Sequence, residues 1–285
     1  MKSALTFDIE EYFHAEAFAG GLNPEEWPSL PSRVNASTQR LLDLLDRNRV
    51  RATFFVLGWV AEREPALVRE IASLGHEVAC HGYGHRMITR LTRRELADDV
   101  VRAKAAIEDV IGRPVHGYRA PTFSIVQETL WSLDVLAEAG FRWDSSIFPI
   151  VHDRYGIPDA PRFPHRRATS GGEIIEFPPS TIEVMGRRLP VAGGGYFRLL
   201  PYPMTRWALR RITEGEGQPA MVYLHPWELD PEQPRLAASA LAQVRHRINM
   251  HKTEARLARL IDEFEFAPAG EVLASAGLLP IGEPR

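Results

Sequence analysis

The sequence predicts a parallel α/β fold, and two observations support that prediction, while a third decides between a barrel and an open sheet. Short apolar segments alternate with helical patterns along most of the chain, which is typical of strands joined by helical crossovers. Several of these segments are rich in β-branched and aromatic residues, as in T-F-F-V-L at 53–57. No G-x-G-x-x-G follows the first strand and no G-x-x-x-x-G-K-[ST] occurs, which disfavours nucleotide binding. We therefore favour a barrel over an open doubly wound sheet.

The strand predictions follow from residue type and segment length. The first strand, 4–8, is a short apolar segment that ends in acidic residues. The other predicted strands are 53–57, 77–80, 115–118, 141–144, 173–177 and 220–224. Seven strands interleaved with helices indicate parallel pairing.

The helix predictions depend mainly on residues that start and stop helices. Ser37 is predicted to cap a helix that contains the leucines of 41–45. The capping box from Thr92 to Glu95 opens a helix that ends at Gly112. Other helices are predicted at 65–74, 129–139, 202–212 and over most of 235–278.

Composition excludes several classes of protein. The net charge of −3 and the isoelectric point near 6.4 argue against a general nucleic-acid binder or a binder of anionic membranes. The single cysteine, Cys80, excludes a disulfide framework and a multi-cysteine metal site. No stretch reaches 18 consecutive apolar residues, and acidic residues stand where a signal peptide needs its apolar core. We expect a cytoplasmic protein without a membrane span, and the composition allows a homo-oligomer.

Polar residues cluster where the predicted strands end. Five strand ends carry groups that a purely structural role rarely needs, and in parallel α/β folds the carboxyl ends of strands hold the working residues. These groups are Asp8, Glu10, Glu11, His81, His85, Arg119, Asp144 and His225.

His81 and His85 are the natural metal ligands of this set. Two imidazoles four residues apart can meet one ion, because Gly82 and Gly84 let the intervening loop bend. Asp8 and Glu10 lie two residues apart and therefore share one side of an extended strand, so a carboxylate can complete the site. The alternative is a pair of surface histidines in a polar turn, with acids that only contact solvent.

Arg119 and His225 extend the candidate site. Arg119 precedes Pro121 by two residues, so its backbone is stiff, and its guanidinium could hold Asp8 ionised and oriented. His225 ends an apolar strand, where it is either a general acid or an ordinary rim residue.

The sequence contains five motifs in a fixed order that together indicate a family: T-F-D-I-E, H-G-Y-G-H, Y-R-A-P-T-F, D-S-S-I-F-P and L-H-P-W-E. Together they resemble the polysaccharide deacetylases (carbohydrate esterase family 4, the chitooligosaccharide deacetylase homology domain) over about residues 3–230. The motif sequences T-F-D-I-E-E-Y-F-H and H-P-W-E-L-D are most similar to those of the exosortase-associated branch of the family, which is found in exopolysaccharide gene clusters.

The resemblance implies a distorted (β/α)7 barrel over 1–230, a helical C-terminal extension over 231–285, and metal-dependent removal of N-acetyl groups from a sugar chain. The resemblance also implies a role for each residue that matches a family motif. Asp8 would be the base, Arg119 the residue that holds the base, and His225 the general acid. Asp144 would be the acid of the fourth motif, and His81 and His85 would bind the metal. Two departures stand out. Ile9 separates the two acids of the first motif, so Glu10 is the first choice of metal ligand and Glu11 stays an alternative. Gly82 stands where the family usually has a serine or threonine, so the hydroxyl group of that residue is missing here.

The ligand set predicts one divalent ion, with zinc first and iron or cobalt sharing the ligand type. A sugar chain is expected to stack on aromatic residues of the cleft, the alternative being core packing. The predicted substrate-binding residues are Tyr12, Pro121, Phe123, Tyr196 and Trp227. Two other functions stay open: an allantoinase-like amidohydrolase, and a non-catalytic carbohydrate-binding barrel.

Overall fold

The computed structural model describes residues 1–15, 18, 22–191 and 193–280. Within these ranges the strands are β1 (Ser3–Ile9), β2 (Thr53–Val56), β3 (Glu77–Cys80), β4 (Gly117–Tyr118), β5 (Trp143–Asp144), β6 (His165–Thr169), β7 (Gly172–Glu176), β8 (Thr181–Val184), β9 (Arg187–Pro190), β10 (Met221–Leu224) and β11 (Phe266–Ala267). The helices are α1 (Val34–Arg47), α2 (Gly58–Arg63), α3 (Pro65–Ser73), α4 (Arg93–Ile111), α5 (Ser132–Glu138), α6 (Gly194–Leu199), α7 (Tyr202–Arg210), α8 (Ala240–Arg247), α9 (Met250–Glu263) and α10 (Ala269–Ser275).

Seven parallel strands form the centre of the molecule, in the order β10-β1-β2-β3-β4-β5-β7. β6 adds to β7 in the antiparallel direction, β11 also pairs with β1, and β8 and β9 form a separate hairpin. Between the edges β10 and β7 the contacts are irregular. The Ser180 N–H donates to the Met221 carbonyl at 3.3 Å, and Gly193 forms an isolated parallel bridge with Tyr223. The predicted α/β class with a distorted barrel is confirmed.

The first helix shows how tertiary contacts override a local signal. The prediction that Ser37 caps α1 is wrong, because the helix starts at Val34 and Ser37 lies inside its first turn, donating to the Arg33 carbonyl at 2.7 Å. The cap comes instead from Glu11, whose carboxylate accepts the Arg33 and Val34 amides at 2.9 and 3.2 Å. A carboxylate that satisfies the free N–H groups at a helix start stabilises that start wherever the residue stands in the sequence.

The other predicted elements are largely present. β3 matches its predicted range, and α4 has the predicted capping box at Thr92 and ends at Gly112 in the left-handed conformation (φ 68°). The prediction omitted α2, α6, the hairpin of β8 and β9, and strands β6 and β11.

The C-terminal segment predicted as a helical extension packed on the barrel contributes α8, α9 and α10, and it also contributes β11 to the central sheet. Its last five residues, 281–285, lie outside the described residues, and the boundary at 230 stays a prediction. Across the described part of the chain, no helix has both the length and the apolar character needed to cross a bilayer.

Candidate active site

A cleft of about 580 Å³ opens at the edge of the sheet where the parallel strands end. β1, β3, β4 and β10 all point their carboxyl ends toward this edge, because they are parallel neighbours or near neighbours in the sheet. The residues predicted from the sequence that line the cleft are Asp8, Glu10, His81, His85, Phe123, His225 and Trp227.

Glu10, His81 and His85 converge as a possible metal site. One ligand atom from each lies within 4.8 Å of the others. The Oε2 atom of Glu10 is 2.8 Å from His85 Nε2 and 3.9 Å from His81 Nε2, and it is buried without a hydrogen-bond partner among the described residues. A buried carboxylate oxygen without a partner costs free energy unless a cation or a proton meets it. Two imidazoles and one carboxylate are a donor set that suits zinc and similar divalent ions, so these residues fit a metal.

The protonation of His81 also suits a ligand. Its Nδ1–H donates to the Arg119 carbonyl at 2.8 Å, which leaves the lone pair of Nε2 facing Glu10. Burial lowers the pKa of His81 to about 4, so the imidazole is neutral at neutral pH.

The loop that carries both histidines is tightly constrained. Gly82 has φ +75°, and His85 has φ +49°, a conformation that residues other than glycine rarely adopt. Asp99 on α4 accepts the Tyr83 amide at 2.8 Å, and a side chain at Gly82 would place its Cβ 3.0 Å from an Asp99 oxygen. Asp99 therefore holds this loop through a hydrogen bond from its backbone.

Asp8 is held by a buried arginine. Arg119 is fully buried, and its Nη1 donates to Asp8 Oδ1 at 2.7 Å and to Thr6 Oγ1 at 3.0 Å. Its other nitrogens donate to the Ser145 carbonyl and hydroxyl, and its guanidinium lies 3.9 Å from the centre of the Phe55 ring. These contacts fix the guanidinium, so one oxygen of Asp8 is tied down and the other, Oδ2, is left for the cleft.

His225 is supported by a second buried charge pair. Its Nδ1–H donates to Glu228 Oε1 at 2.7 Å, and Arg198 Nε donates to Glu228 Oε2 at 2.5 Å. Burial alone would lower the pKa of His225, but the carboxylates of Glu10, Glu228 and Asp8 outweigh it and raise the pKa to about 9. The imidazole is therefore protonated at neutral pH, with Nε2–H directed into the cleft.

The two candidate proton-transfer groups face each other across the cleft. His225 Nε2 lies 3.7 Å from Asp8 Oδ2 and 3.8 Å from Glu10 Oε1. The arrangement thus offers a carboxylate that can accept a proton, an imidazolium that can donate one, and a cation site beside both.

Glu11 and Asp144 lie away from this centre. Glu11 caps α1, so Glu10 is the acid of that pair that faces the histidines. Asp144 is fully buried against Glu176 and accepts from Ser146 Oγ at 2.5 Å, and burial raises its pKa. The structure does not bring Asp144 into the cleft, and its catalytic role stays a prediction.

The predicted substrate-binding residues differ in their access to the cleft. Phe123 lines the cleft wall, and half-buried Tyr196 on α6 contacts the cleft residue Tyr155. Tyr12 is fully buried beside Phe13 and does not line the cleft. Pro121 is buried in the turn after Ala120 and is also not among the lining residues.

Trp227 lines the cleft, and two imidazole rings stack on its indole. His225 stacks on it with ring centroids 4.8 Å apart and His246 with centroids 4.6 Å apart, each at 20°. These contacts leave the residue only 6% exposed, and stacking of a sugar on this indole stays a prediction.

Sequence reasoning missed two residues of the site, Glu228 and Arg198. Glu228 had a signal, since it follows His225 by three residues and a short 3₁₀ turn, Pro226–Leu229, folds it back onto the imidazole. Arg198 lies on α6 within a segment rich in glycine, and nothing in the sequence ties it to His225. Burial raises the pKa of the Cys80 thiol, which keeps the thiol in its neutral form.

Comparisons with known proteins match the two halves of the chain to two families. The model described as "Polysaccharide deacetylase" matches residues 3–143, and the model described as "Domain of unknown function (DUF3473)" matches residues 145–274. A solved structure from Mycobacterium smegmatis, named for the polysaccharide deacetylases, is similar with a TM-score of 0.63 at 22% identity, covering 99% of this chain and 93% of that one. This likeness supports the fold.

Curated relatives carry deacetylase names. Chitooligosaccharide deacetylases of Bradyrhizobium sp. (strain ANU 289) and Sinorhizobium fredii are 35% and 38% identical over 100 and 127 residues, which are 35% and 42% of this chain. The peptidoglycan-N-acetylglucosamine deacetylase of Bacillus cereus is 28% identical over 156 residues, 48% of this chain. The matched regions cover 43%, 55% and 54% of these three relatives, so this chain spans about half of their length.

Proposed function

Because residues 3–143 belong to the polysaccharide deacetylase family, we propose that the protein is a metal-dependent hydrolase that removes N-acetyl groups from an N-acetylated polysaccharide or oligosaccharide. One observation carries the proposal. Asp8, His225 and the set of Glu10, His81 and His85 meet in one cleft, with His225 Nε2 3.7 Å from Asp8 Oδ2. Together these groups offer the proton acceptor, the proton donor and the cation site that amide hydrolysis uses.

Glu10, His81 and His85 would hold the metal. A divalent cation bound there would act as a Lewis acid on the acetyl carbonyl and make water more acidic. We propose zinc, because imidazole and carboxylate ligands suit it. The neutral imidazole of His81 and the unpartnered Oε2 of Glu10 support this assignment.

Asp8 Oδ2 is the proton acceptor in this scheme. Arg119 occupies Oδ1, so Oδ2 takes a proton from the water that attacks the acetyl carbon. His225 then gives its Nε2 proton to the sugar nitrogen as the C–N bond breaks, which leaves acetate and a free amine. Glu228 stabilises the charged form of His225 before this donation and keeps Nδ1 protonated after it.

Two observations support the proposed substrate class: the names of the curated relatives and the sequences of the first and last motifs. The curated relatives are named for chitooligosaccharides and for peptidoglycan N-acetylglucosamine, so an N-acetylhexosamine chain is the first choice. The similarity of the first and last motifs to the exosortase-associated branch supports an exopolysaccharide intermediate as the natural substrate.

Acetate release from defined N-acetylated oligosaccharides tests the proposal. The purified protein is assayed with chitooligosaccharides, peptidoglycan fragments and allantoin, before and after chelation and with zinc returned. We expect acetate from a sugar substrate, loss of activity on chelation and recovery with zinc. Ureide hydrolysis that survives chelation would instead identify an allantoinase-like enzyme. Sugar binding without turnover under every condition would identify a binding barrel.

A further inference from the structure

We propose that Trp227 is a positioning residue for the metal site: its indole N–H fixes the Glu10 carboxylate so that the second oxygen points at the two histidines. The inference rests on the proposed function, because it takes Glu10, His81 and His85 as the residues that hold a metal.

The hydrogen bond itself is the first observation. Trp227 Nε1–H donates to Glu10 Oε1 at 3.0 Å, and both groups are buried. The other oxygen, Oε2, has no hydrogen-bond partner among the described residues and lies 2.8 Å from His85 Nε2. The terminal torsion of a glutamate is broad and roughly two-fold, so a carboxylate held at one oxygen has far fewer orientations than a free one. Trp227 thus selects the orientation that a metal needs.

The indole is itself held by stacked imidazole rings. His225 and His246 stack on it at 20°, and His246 Nε2 is 2.9 Å from Gln233 Oε1. Gln233 in turn donates from its side-chain nitrogen to the Trp227 carbonyl at 2.9 Å. The side chain has 6% of its surface exposed, so it cannot swing away without breaking this stack.

This contact joins the two families in the chain. Glu10 lies in the part that matches the polysaccharide deacetylases, and Trp227 lies in 145–274, which matches the family described as of unknown function. The same stretch supplies His225 with Glu228 and Arg198. We therefore assign to residues 145–274 the task of completing and orienting the site rather than that of an independent module.

Zinc affinity measures the proposed role without reference to turnover. Partners that orient a metal ligand are worth 10- to 100-fold in metal affinity, so Trp227→Phe should raise the Kd for zinc about 10-fold or more. Phenylalanine keeps an aromatic ring in contact with the two imidazoles and removes the N–H. Trp207→Phe is the matched control, because Trp207 lies half-exposed on α7 and does not line the cleft. The Kd of that variant should stay within a factor of 2 of wild type.

A double-mutant cycle with Glu10→Ala separates positioning from a general effect on the fold. Since Trp227 acts through Glu10, Trp227→Phe should change zinc affinity little in the Glu10→Ala background. An equal loss in both backgrounds, or a wild-type Kd in Trp227→Phe, would overturn the inference while leaving the metal site intact. Wild-type protein that binds no zinc would instead overturn the proposed zinc site on which the inference rests. If Trp227→Phe does not fold, β-(3-benzothienyl)alanine at position 227 replaces it, because it keeps the ring size and lacks the N–H.

Discussion

Replacing Glu228 by glutamine removes a charge that two buried groups share. Glu228 is fully buried, its Oε1 accepts from His225 at 2.7 Å, and its Oε2 accepts from Arg198 at 2.5 Å. Glutamine keeps the shape and one acceptor oxygen but leaves the Arg198 guanidinium without a carboxylate. Breaking a buried pair by removing one partner costs about 3–5 kcal/mol. Arg198 keeps the His246 carbonyl as an acceptor at 2.6 Å, so we expect the lower end, about 3 kcal/mol.

That loss is measurable as a shift in melting temperature. An unfolding entropy of about 2.1 cal/mol/K per residue gives about 0.6 kcal/mol/K for a chain of this length, so Glu228→Gln should melt about 5 °C below wild type. The same change removes the carboxylate that keeps His225 protonated, so kcat should fall about 100-fold, the low end of what an acid–base group contributes.

Glu254→Gln is the control for Glu228→Gln, because Glu254 pairs with Arg40 at 3.1 Å on the surface. Exposed pairs contribute less than about 1 kcal/mol, so its melting temperature and kcat should stay close to wild type. Calorimetry and acetate release measure both variants. A Glu228→Gln protein that melts within 1 °C of wild type and keeps kcat within a factor of 3 would refute the reasoning about the buried pair.

Three further predictions concern the metal, acid stability and packing. His81→Ala should lose stoichiometric zinc, as elemental analysis would show, and full zinc content in that variant would remove His81 from the ligand set. Burial and the nearby Arg51 cation lower the pKa of His76 to about 4 in the folded protein. As the pH falls from 6.5, His76 is therefore protonated in the unfolded chain before it is protonated in the folded one. Wild-type stability should therefore drop by up to about 3 kcal/mol between pH 6.5 and 4, whereas in His76→Asn this part of the drop should vanish in urea titrations at several pH values. Gly117→Ala would place a methyl group 2.2 Å from the Trp143 ring and should destabilise the protein by about 1–3 kcal/mol in the same titrations, and unchanged stability would contradict the packing described.

Sequence patterns predict the sheet and the strand ends because these depend on local composition and on the common direction of parallel strands. Asp8, His81 and His225 follow apolar segments, and the parallel order alone brings their strands to one edge. Local composition and strand direction do not predict side-chain contacts between segments that are distant in the sequence. Glu11 caps a helix that begins 23 residues later, and Arg198 supports a histidine 27 residues further along the chain through Glu228.

Ring orientation was also beyond the sequence. The sequence does not show which neighbours pack on an aromatic side chain beside a predicted cleft. For Trp227, only the structure shows that His225 and His246 stack on the indole. Asp144 illustrates the same limit for a charged group. It is the last residue of β5, yet it is buried against Glu176, the residue 32 positions later that ends β7.

The rate of acetate release by Asp8→Asn, at the zinc content of wild type, tests the central claim most directly. Asparagine keeps an oxygen that can accept from Arg119 but cannot take a proton from the attacking water. The account predicts a folded protein with bound zinc whose kcat on an N-acetylated oligosaccharide is lower by about 10²- to 10⁴-fold. A zinc-loaded Asp8→Asn protein with kcat within a factor of about 10 of wild type would contradict it.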